Sequence, residues 1–537
     1  MSSKTLQYLI GAVKNVAHFG DTDVFPYPVE NQIFFDKTAE VSELLFERHK
    51  RFKEALKSYP PIQQSMLSAV GYTGLRWATQ LDPLWNAYLL AMVMSIGEEI
   101  ESVRIPVARE IVFSYRYAWN RTDSNIFSRD VGWVDFQRKS VEHAGKFASV
   151  LMCDISDFYP RIYHHRLENS LKKAAAGSDA IWRIMRLLKY FSKNVSYGLP
   201  VGGPAARLLS ELLLNRVDKL LLAEGIVFCR YADDYHLFSA SEEESYKQLV
   251  SLSTKLLENE GLLLQKGKTR ILTSDEFLRT SEFSDLNQPD SPLETSSREF
   301  MRLRLYYDPY SPTADEEYES LKAELARFDV VGMLAREIRK SRVHQALTRK
   351  LVNAIQHVDT QQKSGAVVSL IDSLEALYPV MPAVIMTIKS VLPELEESTK
   401  QAVFRRLRQL LAAGSYMLTV PAHLAYTVRL IANDPSEESD ELLVRTYNQS
   451  TSSSIRRDVI LAMAVRGSDY WISDLKNRFS LLSPWEKVAI IIASHTLPGD
   501  EGDHWRKNTR DGFTDFESLV DRWAEERRAS GSWKVPI

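Results

Sequence analysis

Two stretches in the first half of this chain carry strand patterns that stop at aspartates. In Val227-Phe228-Cys229-Arg230-Tyr231-Ala232-Asp233-Asp234-Tyr235-His236-Leu237-Phe238, apolar and aromatic residues flank two adjacent acids. That pattern predicts a β-hairpin whose tight turn carries Asp233 and Asp234. Upstream, Ser149-Val150-Leu151-Met152-Cys153 is an apolar run that stops at Asp154. It predicts a strand ending in a carboxylate. Residues 205–214 read as a strongly apolar helix. Residues 1–100 read as mostly helical, with clear patterns over 40–58 and 85–96, and residues 101–275 mix strands and helices. A polar, proline-bearing stretch over 284–292 reads as a linker. From about residue 315 onward, apolar residues recur at spacings of three and four, as over 367–377, 383–392, 401–413 and 423–432. Pairs of short helices predict a stacked helical-repeat domain; with no crisp repeated signature, an irregular helical bundle is the other reading. The expected division is a mixed α+β part over 1–280 (N-terminal helices 1–100, sheet motifs 150–275), a connection over 281–314, and an all-α part over 315–537.

The acids suggest chemistry. Adjacent carboxylates at the tip of a buried hairpin repel each other and cost desolvation energy. A hard divalent cation relieves both, since Mg²⁺ takes one or two carboxylates and completes its shell with substrate phosphates. Asp154, at a strand end, can face Asp233 from a neighbouring strand. Acids converging in this way form a two-metal site, in which ions about 3.5–4 Å apart clamp both oxygens of an in-line phosphoryl displacement. One ion would activate a 3′-hydroxyl and the other would stabilise leaving pyrophosphate. Asp157 is either a further ligand or a solvated turn aspartate.

The order of motifs resembles that of reverse transcriptases over roughly residues 70–280. Asp154 to Tyr159 resembles their first palm motif, and Gly198-Leu199-Pro200-Val201-Gly202-Gly203 their Gly-x-Pro-Gln-Gly block. Tyr231-Ala232-Asp233-Asp234 resembles the catalytic hairpin, and Gly261-Leu262-Leu263-Leu264-Gln265-Lys266-Gly267-Lys268-Thr269 the block that follows it. The resemblance implies right-hand-like polymerase fingers and palm and RNA-directed DNA polymerase-type nucleotidyl transfer. It implies Asp154, Asp233 and Asp234 as catalytic residues, and Asp154, Ile155 and Asp233 as ligands of Mg²⁺, with Mn²⁺ the alternative. Tyr159 falls where the family places an aromatic under the sugar, favouring dNTP over NTP; the other reading makes Tyr159 a core ring and lets Phe158 face the nucleotide. Pro200 and Gly202 shape the nucleotide loop. Lys268 would approach the triphosphate and protonate pyrophosphate, or is a solvated lysine. Arg104 or Arg116, in the fingers position, would hold the triphosphate with a planar fork, or is an ordinary surface arginine.

One departure matters. The usual glutamine of this block is Val201 here, which argues against faithful templated copying and leaves the metal site intact. That departure, with the palm and the long helical tail, resembles the abortive-infection reverse transcriptases of phage defence, prophage-borne type with a HEAT-like C-terminal domain. Asp308-Pro309-Tyr310-Ser311-Pro312-Thr313-Ala314 resembles the segment that joins polymerase to tail in that group. The resemblance implies protein-primed, template-independent synthesis, single-stranded DNA left covalently on a tyrosine, and a homo-oligomer. With 23 tyrosines the chain does not single one out; Tyr8, near the N-terminus, is the named priming candidate. Two other readings stand beside this one: an RNA-templated enzyme copying a noncoding RNA, and an inactive palm serving as a nucleic-acid-binding scaffold.

Composition sets limits. At 537 residues, with 45% hydrophobic and 26% charged residues, the chain is ordinary for a globular protein of several domains. No apolar run is long enough to span a bilayer, and the first ten residues lack a signal-peptide core, so a cytoplasmic location without membrane contact is expected. The two cysteines, Cys153 and Cys229, fit no zinc pattern and read as buried thiols on palm strands. The formal net charge of −3 counts mildly against tight nonspecific duplex binding. Residues 101–200 carry a balance of +6 and residues 201–300 one of −6, as a basic fingers region opposite an acidic metal face would. In the tail, Arg336, Arg339, Lys340, Arg342, Arg349 and Lys350, and separately Arg405, Arg406 and Arg408, could track single-stranded product or form solvated helix faces.

Overall fold

The alternation at 227–238 becomes a hairpin, and it lies inside a four-stranded antiparallel sheet. Among the described residues the strands are β1 (Gln63–Val70), β2 (Gly74–Leu81), β3 (Ser149–Asp154), β4 (Val227–Tyr231), β5 (Asp234–Ser239) and β6 (Arg270–Thr273). The structure, a computed structural model, describes residues 2–20, 24–193, 195–280, 296–297, 299–301, 303, 305, 321–531 and 533–537. The linker read at 284–292 and the segment from Asp308 to Ala314 fall outside these residues. Strand order in the larger sheet is β4-β5-β3-β6, and β1 and β2 pair separately.

Register explains which strand residues meet. Val227, Phe238, Val150 and Leu272 form one cross-strand row; Cys229, His236, Met152 and Arg270 form the next alternate row; Tyr231, Asp234 and Asp154 form the last. Rows two residues apart share a face. That face packs through Val150, Cys229 and Phe238 against Phe136 and Ala144 of the Trp133–Ala144 helix and against Phe277 and Leu278 of the Ser274–Thr280 helix. The intervening rows, with Arg230, Tyr235 and Cys153, face the other way. There they meet the Pro204–Ala223 helix, whose Asp218 bonds Arg230 and Tyr235, and the Glu242–Lys255 helix, whose Ser245 hydroxyl bonds Ser149 and Ser239.

The Pro204–Ala223 helix starts where sequence chemistry starts it. Pro204 occupies the first turn, where its missing N–H costs nothing. Leu208, Leu209, Leu212 and Leu213 are buried behind the sheet. Each such side chain contributes about 1.5–3 kcal/mol of burial. Cys153 and Cys229 are free and buried, and burial pushes both thiols up to about 12.

The chain separates into two compact units. The first comprises Met1–Asp23, Glu30–Gln63 and Ala78–Gln288; the second comprises Val24–Val29, Gln64–Trp77 and Pro289–Ile537. Residues 1–100 are mostly helical, and the β1–β2 hairpin is an element the sequence pattern did not indicate. Its inward positions in β1 are Met66 and Ser68, so the apolar alternation that marks a strand is missing. Within the second unit the hairpin is bonded to a turn and to a helix: the Tyr72 hydroxyl donates to the Ala376 carbonyl at 2.6 Å, and the Ser454 N–H donates to Gln64 Oε1 at 3.1 Å.

The regular elements described in the rest of the second unit are helices. Helices Gln345–Ala354, Met381–Val391, Pro421–Ile431, Ser453–Val465, Pro484–Ser494 and Asp515–Ala529 pack each on the next. A second row, Val330–Ile338, Thr360–Asp372, Glu397–Ala412 and Glu438–Gln449, does the same. Two starts carry reciprocal side-chain caps, Ser483 with Glu486 and Thr514 with Glu517. Much of the expected strand-tracking charge is paired inside this unit. Arg406 pairs with Glu375, Arg408 with Asp434 and Glu438, and Lys340 with Glu337, while Lys350 donates to the Met301 carbonyl. No helix among the described residues is long and apolar enough to cross a membrane.

Candidate active site

The hairpin turn and the end of β3 bring three carboxylates together. Asp154 and Asp234 are direct cross-strand partners, and Asp233 is the turn residue before Asp234. The Ile155 N–H donates to the Asp233 carbonyl at 3.2 Å, which ties the end of β3 to the turn. Like charges directly opposite on one sheet face are destabilising. Burial, with Asp154 next, raises Asp233 to about 6. Burial, with Asp233 and then Asp154 next, raises Asp234 to about 7. Asp157 is elsewhere: its side chain is exposed and sits 3.6 Å from Arg161.

One cation already touches this group. Lys268 Nζ lies 2.6 Å from Asp154 Oδ2. Burial works against its charge, and the Asp154 carboxylate, backed by Asp234 and Asp233, outweighs that and raises the lysine. The chain between β3 and Lys268 is held by backbone bonds. The Gln265 N–H donates to the Asp154 carbonyl at 2.7 Å, and the Ser156 N–H to the Leu263 carbonyl at 2.8 Å.

The glycine-proline loop docks under the same site. The Leu199 N–H donates to the Tyr159 carbonyl and the Gly198 N–H to the Ile162 carbonyl, both at 2.8 Å. Gly198 and Gly202 take φ of 101° and 109°, which side chains strongly disfavour. Pro200 is buried and Val201 half-buried. Phe158 is buried in the core. Tyr159 is the half-buried ring of the pair, and burial raises its hydroxyl, with Tyr115, Arg207 and Asp233 as its charged or polar neighbours.

Residues 108–301 match the profile of the reverse transcriptase (RNA-dependent DNA polymerase) family. The chain contains a reverse-transcriptase domain. Among solved structures, telomerase from Candida albicans in complex with a TWJ fragment of telomeric RNA is 11% identical over 66% of this chain and 67% of that chain, with a TM-score of 0.31. Apo telomerase from Candida tropicalis is 10% identical over 71% and 73%, also with a TM-score of 0.31. No curated protein matches the chain.

Within the reverse-transcriptase domain and just before it, the arginines expected to hold phosphate are committed elsewhere. Arg104 is buried: Nη2 donates to Glu211 Oε2 at 2.6 Å and to the Ser114 carbonyl at 2.8 Å, and Nη1 donates to Glu101 and the Tyr115 carbonyl. Arg116 is buried against Glu101 and the Ile105 carbonyl. A triphosphate would have to pull either one out of a desolvated ion pair, which costs several kcal/mol. Arg104 is thus held in buried ion pairs, whereas Arg116 is bonded through Nη2 and keeps Nε and Nη1 buried without a hydrogen-bond partner. Tyr8 lies in the Ser2–Phe19 helix, its ring 5.4 Å from Trp119.

Sequence reasoning passed over Tyr115 and Arg207. Tyr115 has a left-handed φ of 45°, and its ring lies 5.8 Å from Tyr231. The Arg207 guanidinium covers the Tyr115 ring at 5.2 Å. Burial raises the Tyr115 hydroxyl to about 12, with Arg207 opposing and Tyr231, Glu211 and Asp233 adding to the rise. The available signal was an arginine in the first turns of the Pro204–Ala223 helix, among apolar neighbours.

The donor set suits a hard cation. Asp154 faces Asp234 with Asp233 in the turn beside them, and Asp233 and Asp234 are held above their usual range by burial and by neighbouring acids, Asp154 among them for both, a condition a divalent ion reverses. Among the described residues no group of three or more His, Cys, Asp and Glu side chains is placed to hold a metal ion. Mg²⁺ characteristically binds one or two carboxylates and takes its other oxygens from phosphates and water.

Proposed function

We propose that this protein is a DNA polymerase of the reverse-transcriptase type that acts in antiphage defence by abortive infection, extending DNA from its own tyrosine without a template. The observation that carries the polymerase reading is the placement of Asp154 opposite Asp234 with Asp233 in the turn. Asp154 and Asp233, with Ile155, would hold Mg²⁺ or Mn²⁺, and Asp234 completes the acidic set. The bound ions would supply charge neutralisation at both the attacking and the leaving oxygen. A hydroxyl oxygen forms the new bond to the α-phosphorus, and the bond to pyrophosphate breaks. Lys268 is positioned to give that leaving group a proton. Tyr159 lies under the sugar and discriminates against a 2′-hydroxyl. Pro200 and Gly202 shape the loop beneath the nucleotide. Arg207, stacked on Tyr115 rather than on an acid, takes the phosphate contact, because Arg104 is held by Glu211 and Glu101.

Untemplated synthesis is supported by Val201, which offers no amide to a base or template. The defence role, the priming tyrosine and a homo-oligomeric state rest on the family resemblance. Tyr8 remains the named primer, with Tyr115 the second candidate because Asp233 is in its surroundings. A stacked-repeat reading of residues 315–537 is supported by the two rows of successive helices.

The test uses nuclease-treated protein, Mg²⁺ and each labelled dNTP, with no added nucleic acid and Asp233→Asn as control. Label that stays with the protein until protease frees it is the expected result, and mass spectrometry then identifies the tyrosine. Incorporation only when an RNA template and primer are added would replace this reading with the RNA-templated one. Incorporation by Asp233→Asn equal to wild type would remove the metal-site assignment.

A further inference from the structure

The arginine three residues before the first aspartate of the catalytic turn is the most heavily bonded one in the sheet. The Arg230 side chain is 0% exposed. Its Nε donates to both Asp218 oxygens at 2.9 and 3.1 Å, and Nη2 donates to Asp218 Oδ2 at 2.7 Å and Glu211 Oε2 at 2.9 Å. Nη1 donates to Glu211 Oε1 at 3.1 Å and to the Ala232 carbonyl at 2.8 Å. Glu211 and Asp218 sit two turns apart on the Pro204–Ala223 helix, so both reach the same strand. Glu211 is shared with Arg104 and the Ser114 hydroxyl, and Asp218 also accepts from the Tyr235 hydroxyl at 2.9 Å.

The bond to Ala232 is the informative one. Ala232 has φ of 51°, a left-handed conformation that costs a non-glycine residue roughly 1–2 kcal/mol. Such strain persists only where surroundings over-determine it. The guanidinium does this directly. It is fixed on one side by two buried carboxylates of a helix and holds the turn carbonyl on the other. Ala232 lies between Tyr231 and Asp233, so its conformation sets where Asp233 and Asp234 point. An ion pair kept for stability alone could be exchanged for apolar residues at little cost. It would have no need to reach the turn.

We infer that Arg230 is a positioning residue: anchored on Glu211 and Asp218, it holds the left-handed Ala232 turn and thereby sets the affinity of the Asp154–Asp233–Asp234 group for a divalent cation. This rests on the reading of those acids as a metal site. Partners one shell behind metal ligands characteristically change affinity by about 10–100-fold when lost.

The experiment is a Mn²⁺ titration of the full chain, followed by electron paramagnetic resonance, with melting curves alongside. Wild type, Arg230→Lys, Asp218→Asn and Asp233→Asn are compared. Arg230→Lys keeps the charge but not the fork; Asp218→Asn keeps the shape and loosens the anchor. The expected result is Mn²⁺ binding weakened about tenfold or more in both, at temperatures where both are folded. Where incorporation is measured, kcat falls while KM for dNTP changes little. A folded Arg230→Lys that binds Mn²⁺ like wild type overturns the inference. If Arg230→Lys does not fold, Asp218→Asn decides by the same criterion. Wild type and Asp233→Asn binding Mn²⁺ equally would instead overturn the metal-site reading, and this inference with it.

Discussion

Replacing Asp234 by asparagine should stabilise the metal-free protein in alkaline buffer and should not do so in acid. Asp234 is raised from 3.8 to about 7, first by burial, then by Asp233 and Asp154. For an acid whose folded value lies above its unfolded one, the folded state binds more protons between the two values. Stability therefore falls as pH rises through that window, from about 4 to about 7, and the full cost is present above it. A shift of about three units corresponds to about 4 kcal/mol. Asp233, raised to about 6, shares part of the same repulsion, so the two costs do not add and about 2–4 kcal/mol is the expected gain on removing one charge. The asparagine side chain is nearly isosteric with aspartate and carries no charge.

The assay is thermal and denaturant unfolding of wild type and Asp234→Asn in EDTA at pH 5, 6, 7 and 8, repeated with Mg²⁺. The gain in the variant should appear between pH 5 and 8 and should shift Tm by several degrees, at roughly 2–4 °C per kcal/mol for a domain of this size. Mg²⁺ should stabilise wild type more at pH 8 than at pH 5, and the variant less than wild type at both. A variant less stable than wild type at pH 8 would refute the reasoning. So would a stability difference that does not change with pH, since the cost would then not arise from ionisation.

Three further outcomes follow from the same site. Tyr159→Ala should lower the preference for dNTP over the matching NTP by about tenfold or more, the range expected for one steric group, in paired kcat/KM measurements; an unchanged ratio would assign Tyr159 to the core. Lys268→Met should tighten Mn²⁺ binding by freeing Asp154 while slowing single-turnover incorporation by about 10²-fold, and weaker binding would show that the lysine organises the site rather than competing for it. Gly202→Ala should lower stability by roughly 1–2 kcal/mol through its φ of 109°, read as a fall in Tm, and an unchanged Tm would mean the loop re-forms freely.

The parts of the fold that were legible in the sequence are those where burial and period coincide. β3, β4 and β5 carry apolar residues on both faces because helices cover both, so their runs and their terminal acids stood out. The Pro204–Ala223 helix announced itself by proline at its start and leucines along it. β1 was not legible, because one inward position is Ser68 and the strand reads as polar. The partners of Arg104 and Arg116 were not legible either. Glu101 and Glu211 lie far from at least one of the arginines they bind, and nothing in spacing links residue 104 to residue 211. Arg207 and Tyr115 meet across the fold for the same reason.

Those partners also bear on how acidic chemistry and substrate grip would separate under the proposed function. Arg104 and Arg230 face Glu211 and Asp218, two positive charges against two negative, almost without exposure to water. Burial alone would push both carboxyls up; Arg230, with Arg104, holds Glu211 below its usual range, whereas for Asp218 burial still wins. Drawing Arg104 out to a triphosphate would leave Glu211 short of a partner, and breaking such a pair costs about 3–5 kcal/mol. A cation that grips phosphate here must therefore be one the network does not own. Lys268 is bonded to Asp154 itself. Arg207 rests on a tyrosine ring, an attachment of about 0.5–2 kcal/mol that a phosphate can displace. In the proposed function the carboxylates would keep their geometry through Arg230 and nucleotide contact would pass to Arg207, while Val201 is a side chain without an amide. Under the proposed function, such a site would retain metal-dependent phosphoryl transfer and have little with which to read a template.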